Sequence, residues 1–81
     1  MTERANIDFL YFKKINNQIV LKKIRLLFDS MLLTPSFGIG KPEKLKYDLS
    51  GKWSRRIDKE HRLVYEVTDE LITVLSMKGH Y

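Results

Sequence analysis

Carboxylate, guanidinium and imidazole groups recur at short intervals in the second half of the chain. Attack by a ribose hydroxyl on the adjacent phosphorus needs a base, an acid for the leaving oxygen, and cations around the phosphate. A carboxylate or imidazole can serve as the base, an imidazolium as the acid, and arginine as a planar cation that stays protonated. The candidate bases are Glu43 and Glu60, the candidate cations are Lys46, Arg55, Arg56 and Arg62, and the titratable imidazoles are His61 and His80.

Two of these cations are expected to lie close together. Arg56 and Arg62 stand on either side of a short predicted turn, so a hairpin would bring them side by side. Like charges held together favour an anion between them. The alternative is that both are solvated strand residues in weak ion pairs, and for any single charge this interpretation is favoured.

The other candidate residues are also assigned either to the chemistry or to the structure. His61, beside the turn, is assigned to solvent or packing, and Trp53 to the core. His80 is different, because it is followed by Tyr81 directly after an apolar strand, and a tyrosine ring can stack on a base. Chain ends often fray, so the residues alone leave this pair open. A purely structural role is assigned to Asp58, Lys59, Glu66, Asp69 and Glu70.

Length and composition predict one small domain. The 81 residues carry a net charge of +5, which makes nucleic acid the leading class of partner, although many basic proteins bind none. The chain lacks cysteine, a signal-peptide pattern and a long apolar run, which fits the cytoplasm and excludes a thiolate metal site. No cofactor or metal site is predicted.

Apolar spacing predicts two helices. Within residues 4–16, apolar side chains recur at steps of three and four residues, at Ile7, Leu10, Tyr11 and Ile15. An asparagine at 16 or 17 can cap the next helix. Residues 18–33 form a stronger pattern, whose main stripe is Val20, Ile24, Leu27, Phe28 and Met31. A second apolar row on this helix comprises Ile19, Leu26 and Leu33. Packing inside the domain is the favoured explanation for that row, and a protein partner is the alternative.

The remainder reads as a loop and three strands. Two prolines and two glycines within residues 34–42 predict a loop. Period-two alternation predicts strands over residues 52–57 and 61–67, and a nearly continuous apolar run over 71–77 predicts a central or well-covered third strand. The fold class is therefore α+β, with two N-terminal helices packed on one face of a small antiparallel sheet.

Several segments closely resemble the YoeB/Txe family of bacterial toxins, which belongs to the RelE-like superfamily. The matching segments, in order, are Gly-Lys-Pro-Glu at 40–43, Leu-Ser-Gly-Lys-Trp-Ser-Arg-Arg-Ile at 49–57, Glu-His-Arg-Leu-Val-Tyr at 60–65, and the terminal His80-Tyr81. The resemblance implies a RelE-like fold over residues 1–81 and a ribosome-dependent mRNA endonuclease of a type II toxin–antitoxin pair.

The resemblance also implies roles for individual residues. Glu43 would be the general base, His80 the general acid, and Arg62 the cation that stabilises the transition-state phosphate. Lys46, Arg56, Glu60 and Tyr81 would position the RNA and neighbouring side chains. The implied partners are a YefM-like antitoxin, mRNA on the ribosome, and a second copy of the chain.

One departure from the family pattern concerns the N-terminus. Family members usually begin with a short strand before the first helix, whereas here Met1 leads almost directly into the first helical pattern. We therefore expect that strand to be missing, which would remove core from a small domain. Two rival functions remain: a catalytically inactive toxin that still binds its antitoxin, and an RNA-binding module that does not cleave.

Overall fold

The computed structural model describes residues 1–46 and 51–79 and confirms the two-layer α+β fold. Two helices precede a four-stranded antiparallel sheet in which the strands follow chain order. The elements are α1 (Glu3–Lys14), α2 (Gln18–Leu33), β1 (Glu43–Lys44), β2 (Lys52–Arg56), β3 (Arg62–Val67) and β4 (Ile72–Ser76). The three predicted strands are present, and β1 is an additional strand too short to show any alternation.

The sheet has an inner face that packs on the helices and an outer face that does not. Trp53 pairs with Tyr65 and Arg55 pairs with Leu63, so these four side chains share the inner face. Of the two environments predicted for the third strand, central or well covered, the structure shows the second, because β4 lies at an edge of the sheet. Its apolar composition instead reflects cover by the helical layer, since Val74 belongs to the core.

Helix α1 forms where the sequence predicts it but buries a different face. The Thr2 hydroxyl accepts a hydrogen bond from the Ala5 amide at 3.2 Å and caps the helix. The buried residues are Ala5, Asp8 and Phe12. The predicted stripe is exposed, with Ile7, Leu10, Tyr11 and Ile15 between 40% and 59% accessible. Periodicity identified a real stripe, but the tertiary structure turns it toward solvent.

Helix α2 matches the prediction in its limits and in its main stripe. The Asn17 side chain accepts from the Val20 amide at 3.1 Å, which caps the helix. Its buried residues are Val20, Ile24, Leu27 and Met31, and Phe28 is partly buried. The expectation that its second apolar row packs inside the domain is wrong. Ile19 and Leu33 are each 83% exposed and Leu26 is 45% exposed, so this row lies on the surface.

The residues before α1 are joined to β4. The Thr2 amide donates to the Val74 carbonyl at 3.0 Å, and its hydroxyl donates to the Leu75 carbonyl at 2.8 Å. Within residues 1–46 and 51–79, no strand precedes α1. In the same ranges, neither helix combines the length and apolarity needed to span a membrane.

A buried guanidinium connects the two layers. Arg55 is fully buried in the middle of β2, and its donors make five hydrogen bonds. The acceptors are Tyr65 Oη (3.0 Å), Ser30 Oγ (2.7 Å) and the carbonyls of Thr34 (2.6 Å), Phe37 (3.1 Å) and Ile39 (3.2 Å). A guanidinium has five N–H groups, so the count of acceptors matches the count of donors.

The consequence is that the loop between α2 and β1 is held against the sheet. Three of the acceptors are loop carbonyls, and Tyr65 Oη donates to a fourth, that of Pro35, at 2.7 Å. The interpretation of Arg55 as a phosphate-binding cation is therefore wrong. Its charge is enclosed and its donors are used internally, so the residue is structural.

We predict that Arg55→Lys lowers the free energy of unfolding by about 3 kcal/mol. The lysine ammonium cannot donate to all the acceptors arranged around the planar guanidinium, and the carbonyls that lose their hydrogen bonds would be buried without partners. Chemical denaturation of the two proteins measures the difference. The matched control is Arg56→Lys on the exposed neighbouring residue, which should change stability by less than about 0.5 kcal/mol. Equal effects of the two substitutions would contradict the assignment.

Candidate active site on the outer face of the sheet

Strand register gathers three of the predicted site residues on the outer face. Glu43 in β1 pairs with Ser54 in β2, and Arg56 in β2 pairs with Arg62 in β3. Ser54 and Arg56 are two positions apart, so they point to the same side, and so do their partners. Glu43 and Arg62 are two strands apart, about 10 Å in the direction across the strands. Side chains of this length can converge on one phosphate group from that spacing.

The two arginines lie directly opposite each other, as the hairpin pattern predicts. Like charges in directly opposed positions destabilise a sheet. Arg56 is exposed and forms no ion pair with any carboxylate in the described part of the chain, whereas Arg62 is partly buried. A pair of guanidinium groups at adjacent strand positions is a suitable environment for a phosphate, which can accept hydrogen bonds from both.

Glu43 is positioned by the turn that leads into β1. The Gly40 carbonyl accepts from the Arg56 amide at 2.7 Å, which fastens the turn to the end of β2. Gly40 has a φ of +83°, and a Cβ there would lie 2.7 Å from Leu27 Cδ2 and 3.1 Å from Arg55 Cβ. Only glycine fits this approach without displacing neighbours. The exposed side chain of Glu43 is therefore attached to a backbone whose position is fixed at Gly40, three residues earlier.

The centre of the outer face is less polar than its rim. Three residues are buried there: Ser54 at 0% exposure, Val64 at 6% and Leu45 at 6%. Among the described residues, none of the three belongs to the core between the sheet and the helices. The Ser54 hydroxyl has no hydrogen-bond partner in the described part of the chain. Sequence reasoning assigned this serine no role, although its alternation with Arg56 already indicated that both share a face.

The remaining predicted residues lie at the edges of this face or away from it. Lys46 is exposed just after β1, and Glu60 is exposed in the turn between β2 and β3, at the same end of the sheet as the arginine pair. His61 is only 8% exposed, which confirms packing rather than solvation for this residue. The two C-terminal residues, His80 and Tyr81, lie outside the described residues.

Two residues hold the segment before His80: Asp8, which the sequence analysis did not connect with the site, and His61, which it considered and then assigned to solvent or packing. The Asp8 carboxylate accepts from the Met77 amide at 2.9 Å, and His61 Nδ1 accepts from the Gly79 amide at 2.9 Å. Asp8 follows Arg4 by four residues, a spacing typical of an exposed ion pair, so the sequence carried no signal for a carboxylate buried to 3% exposure.

The described residues contain two of the parts that phosphodiester cleavage needs, a base and cations around the phosphate. Glu43 supplies an exposed carboxylate, and Arg56 and Arg62 supply two cations on the same face. Within residues 1–46 and 51–79, no three histidine or acidic side chains are grouped closely enough to hold a metal ion. A carboxylate in this position can accept a proton, and the two guanidinium groups can stabilise negative charge on a phosphate.

Comparison with known proteins places the chain in a family. The family model described as the YoeB-like toxin of bacterial type II toxin–antitoxin systems matches residues 1–81. Toxin YoeB of Escherichia coli K12 is 50% identical over 80 residues, which cover 99% of this chain and 94% of that protein. Toxin YoeB of a Synechocystis strain is 48% identical over the same number of residues, with 92% of that protein covered.

Solved structures agree in fold. A YoeB/ParE toxin from Agrobacterium tumefaciens superposes with a TM-score of 0.93 at 36% identity, covering 99% of this chain and 94% of that one. YoeB from Staphylococcus aureus superposes with a TM-score of 0.89 at 47% identity in a structure described as a dimer, covering 99% and 92% of the two chains. The S. aureus YoeB–YefM complex gives 0.88 at 48% identity, with the same coverage. With its fold, its motifs and the family model in agreement along the whole sequence, the chain belongs to the YoeB-like toxins of bacterial type II toxin–antitoxin systems.

Proposed function

We propose that the chain is a ribosome-dependent mRNA endonuclease that cleaves the codon in the ribosomal A site and so inhibits translation. Glu43 removes the proton from the ribose 2′-OH, which attacks the adjacent phosphorus. The bond to the 5′-oxygen breaks, and His80 protonates that oxygen. The products are a 2′,3′-cyclic phosphate and a 5′-OH, so atoms and protons balance without a metal ion.

In this proposal the cations act on the phosphate. Arg62 stabilises the negative charge that builds on the equatorial oxygens of the phosphate, and Arg56 binds the neighbouring RNA backbone. Lys46, Glu60 and Tyr81 position the RNA and the side chains around it. The observation that carries the proposal is the shared outer face of Glu43, Arg56 and Arg62, produced by strand register, in a member of this toxin family.

A protein partner is part of the proposal. YoeB of S. aureus has been solved in a complex with YefM and as a dimer, and we propose a YefM-like antitoxin as the partner of this chain, with a second copy as another. Its exposed apolar side chains support such contacts, because Ile19, Leu32 and Leu33 on α2 are each at least 75% accessible.

The decisive test of cleavage is primer extension on mRNA held in a programmed bacterial ribosome. We expect the wild-type chain to produce a new stop within the A-site codon. Glu43→Gln, which removes the base but keeps the side-chain shape, should slow cleavage roughly 100- to 10,000-fold, and His80→Ala should do the same by removing the acid.

The control for these variants is Glu70→Gln, which neutralises an exposed carboxylate in the turn between β3 and β4. It should cleave like the wild type. Wild-type activity in Glu43→Gln would refute the role of that carboxylate. A folded wild-type chain that leaves the mRNA intact would refute the nuclease proposal, and a stable complex with YefM would then support the inactive-toxin alternative.

Arg62→Lys is predicted to reduce the cleavage rate roughly 100-fold while leaving the fold intact. Lysine keeps the charge but loses the planar fork that meets two phosphate oxygens. Single-turnover rates on saturating ribosomes measure the effect. Arg25→Lys, at an exposed position of α2, is the matched control and should leave the rate unchanged. Loss of activity in both variants would mean that general charge, not this site, is responsible.

A further inference from the structure

The segment that leads to the C-terminus is held at several points in succession. The Met77 amide donates to Asp8, and the Gly79 amide donates to His61 Nδ1. The Gly79 carbonyl accepts from the Arg62 amide at 3.0 Å. Both polar groups of Gly79 are therefore occupied immediately before His80.

The contact to His61 requires one particular form of the imidazole. Because Nδ1 accepts a hydrogen bond from the Gly79 amide, this contact needs the tautomer that carries its hydrogen on Nε2. The Nε2 atom faces the Glu60 carboxylate, whose Oε1 is 3.6 Å away. A carboxylate on that side favours the tautomer that leaves Nδ1 free to accept.

The imidazole itself is held rigidly. The Asp58 carboxylate accepts from the amides of Glu60 and His61 at 2.8 and 2.7 Å, which fixes the backbone of the turn. The ring packs edge-to-face on Phe12 of α1, with centroids 5.0 Å apart. The acceptor atom therefore has a fixed position set by both the hairpin turn and the helix.

Helix α1 contributes further contacts to the same segment. Asp8, Tyr11 and Phe12 are three and four residues apart, so they lie on one side of the helix. Asp8 binds the Met77 amide, the Lys78 ammonium lies 3.9 Å from the centre of the Tyr11 ring, and Phe12 supports His61. This side of α1 thus serves residues 77–79.

We propose that His61 is a positioning residue of the nuclease site: its Nδ1 holds the Gly79 amide and thereby sets the peptide that leads to His80 relative to Arg62. This inference rests on the proposed function, in which His80 and Arg62 act on the same phosphate. It gives His61 a role that does not involve contact with the RNA, since the ring is almost entirely buried.

Two substitutions separate the acceptor from the packing. His61→Phe keeps an aromatic ring on Phe12 but removes the acceptor, whereas His61→Asn keeps an oxygen close to the position of Nδ1 but removes the ring. We expect His61→Phe to lower the saturating cleavage rate roughly 10- to 100-fold with little change in KM, because misplacement affects the chemical step. His61→Asn should be the less stable of the two in thermal unfolding and yet the more active.

Hydrogen exchange at the Gly79 amide provides a readout that is independent of cleavage. Slow exchange in the wild type and in His61→Asn, with fast exchange in His61→Phe, would support the hydrogen bond from the Gly79 amide to residue 61, here called the anchor. The positioning role is overturned if the wild type cleaves and His61→Phe cleaves equally fast, or if activity simply follows thermal stability. If the wild type shows the anchor but never cleaves, the proposed function fails, and the positioning role fails with it for that separate reason.

Discussion

The fold depends on one buried guanidinium. Arg55 carries its charge into the space between sheet and helices, where enclosure would be unfavourable without acceptors for all its donors. The loop after α2 supplies most of these acceptors and is thereby held against β2. The turn at Gly40 then lies at a fixed place, and β1 begins beside β2. The exposed carboxylate of Glu43 is thus located by a cation on the opposite side of the sheet.

Because side chains alternate between the two faces of a strand, β2 places a structural arginine next to a surface arginine. Arg55 and Arg56 are neighbours of the same type, yet the first is enclosed and the second is exposed. A pleated strand turns successive side chains to opposite faces, so adjacent arginines cannot have the same environment. Register then sets Arg56 opposite Arg62, a repulsive pair that an isolated sheet would disfavour and that a bound phosphate would stabilise.

The first helix shows how polar contacts can decide which face a helix buries. Its apolar stripe is large, but its other side carries a carboxylate that satisfies the Met77 amide and a ring that supports His61. Burying this side gives the Met77 amide an acceptor inside the domain. The apolar stripes left outside on α1 and α2 form surfaces that are suited to contacts with other proteins.

The sequence by itself determined the two helices, three of the strands, an asparagine cap at residue 16 or 17, the hairpin that pairs Arg56 with Arg62, and the family. These features arise from short-range periodicity and turn chemistry, which local residues specify. Only the tertiary structure decided that Arg55 is internal, that α1 buries Asp8, that β4 is an edge strand and that a two-residue β1 exists. Periodicity identifies the residues that share a face but not the neighbour that the face meets, because burial depends on contacts between residues distant in sequence.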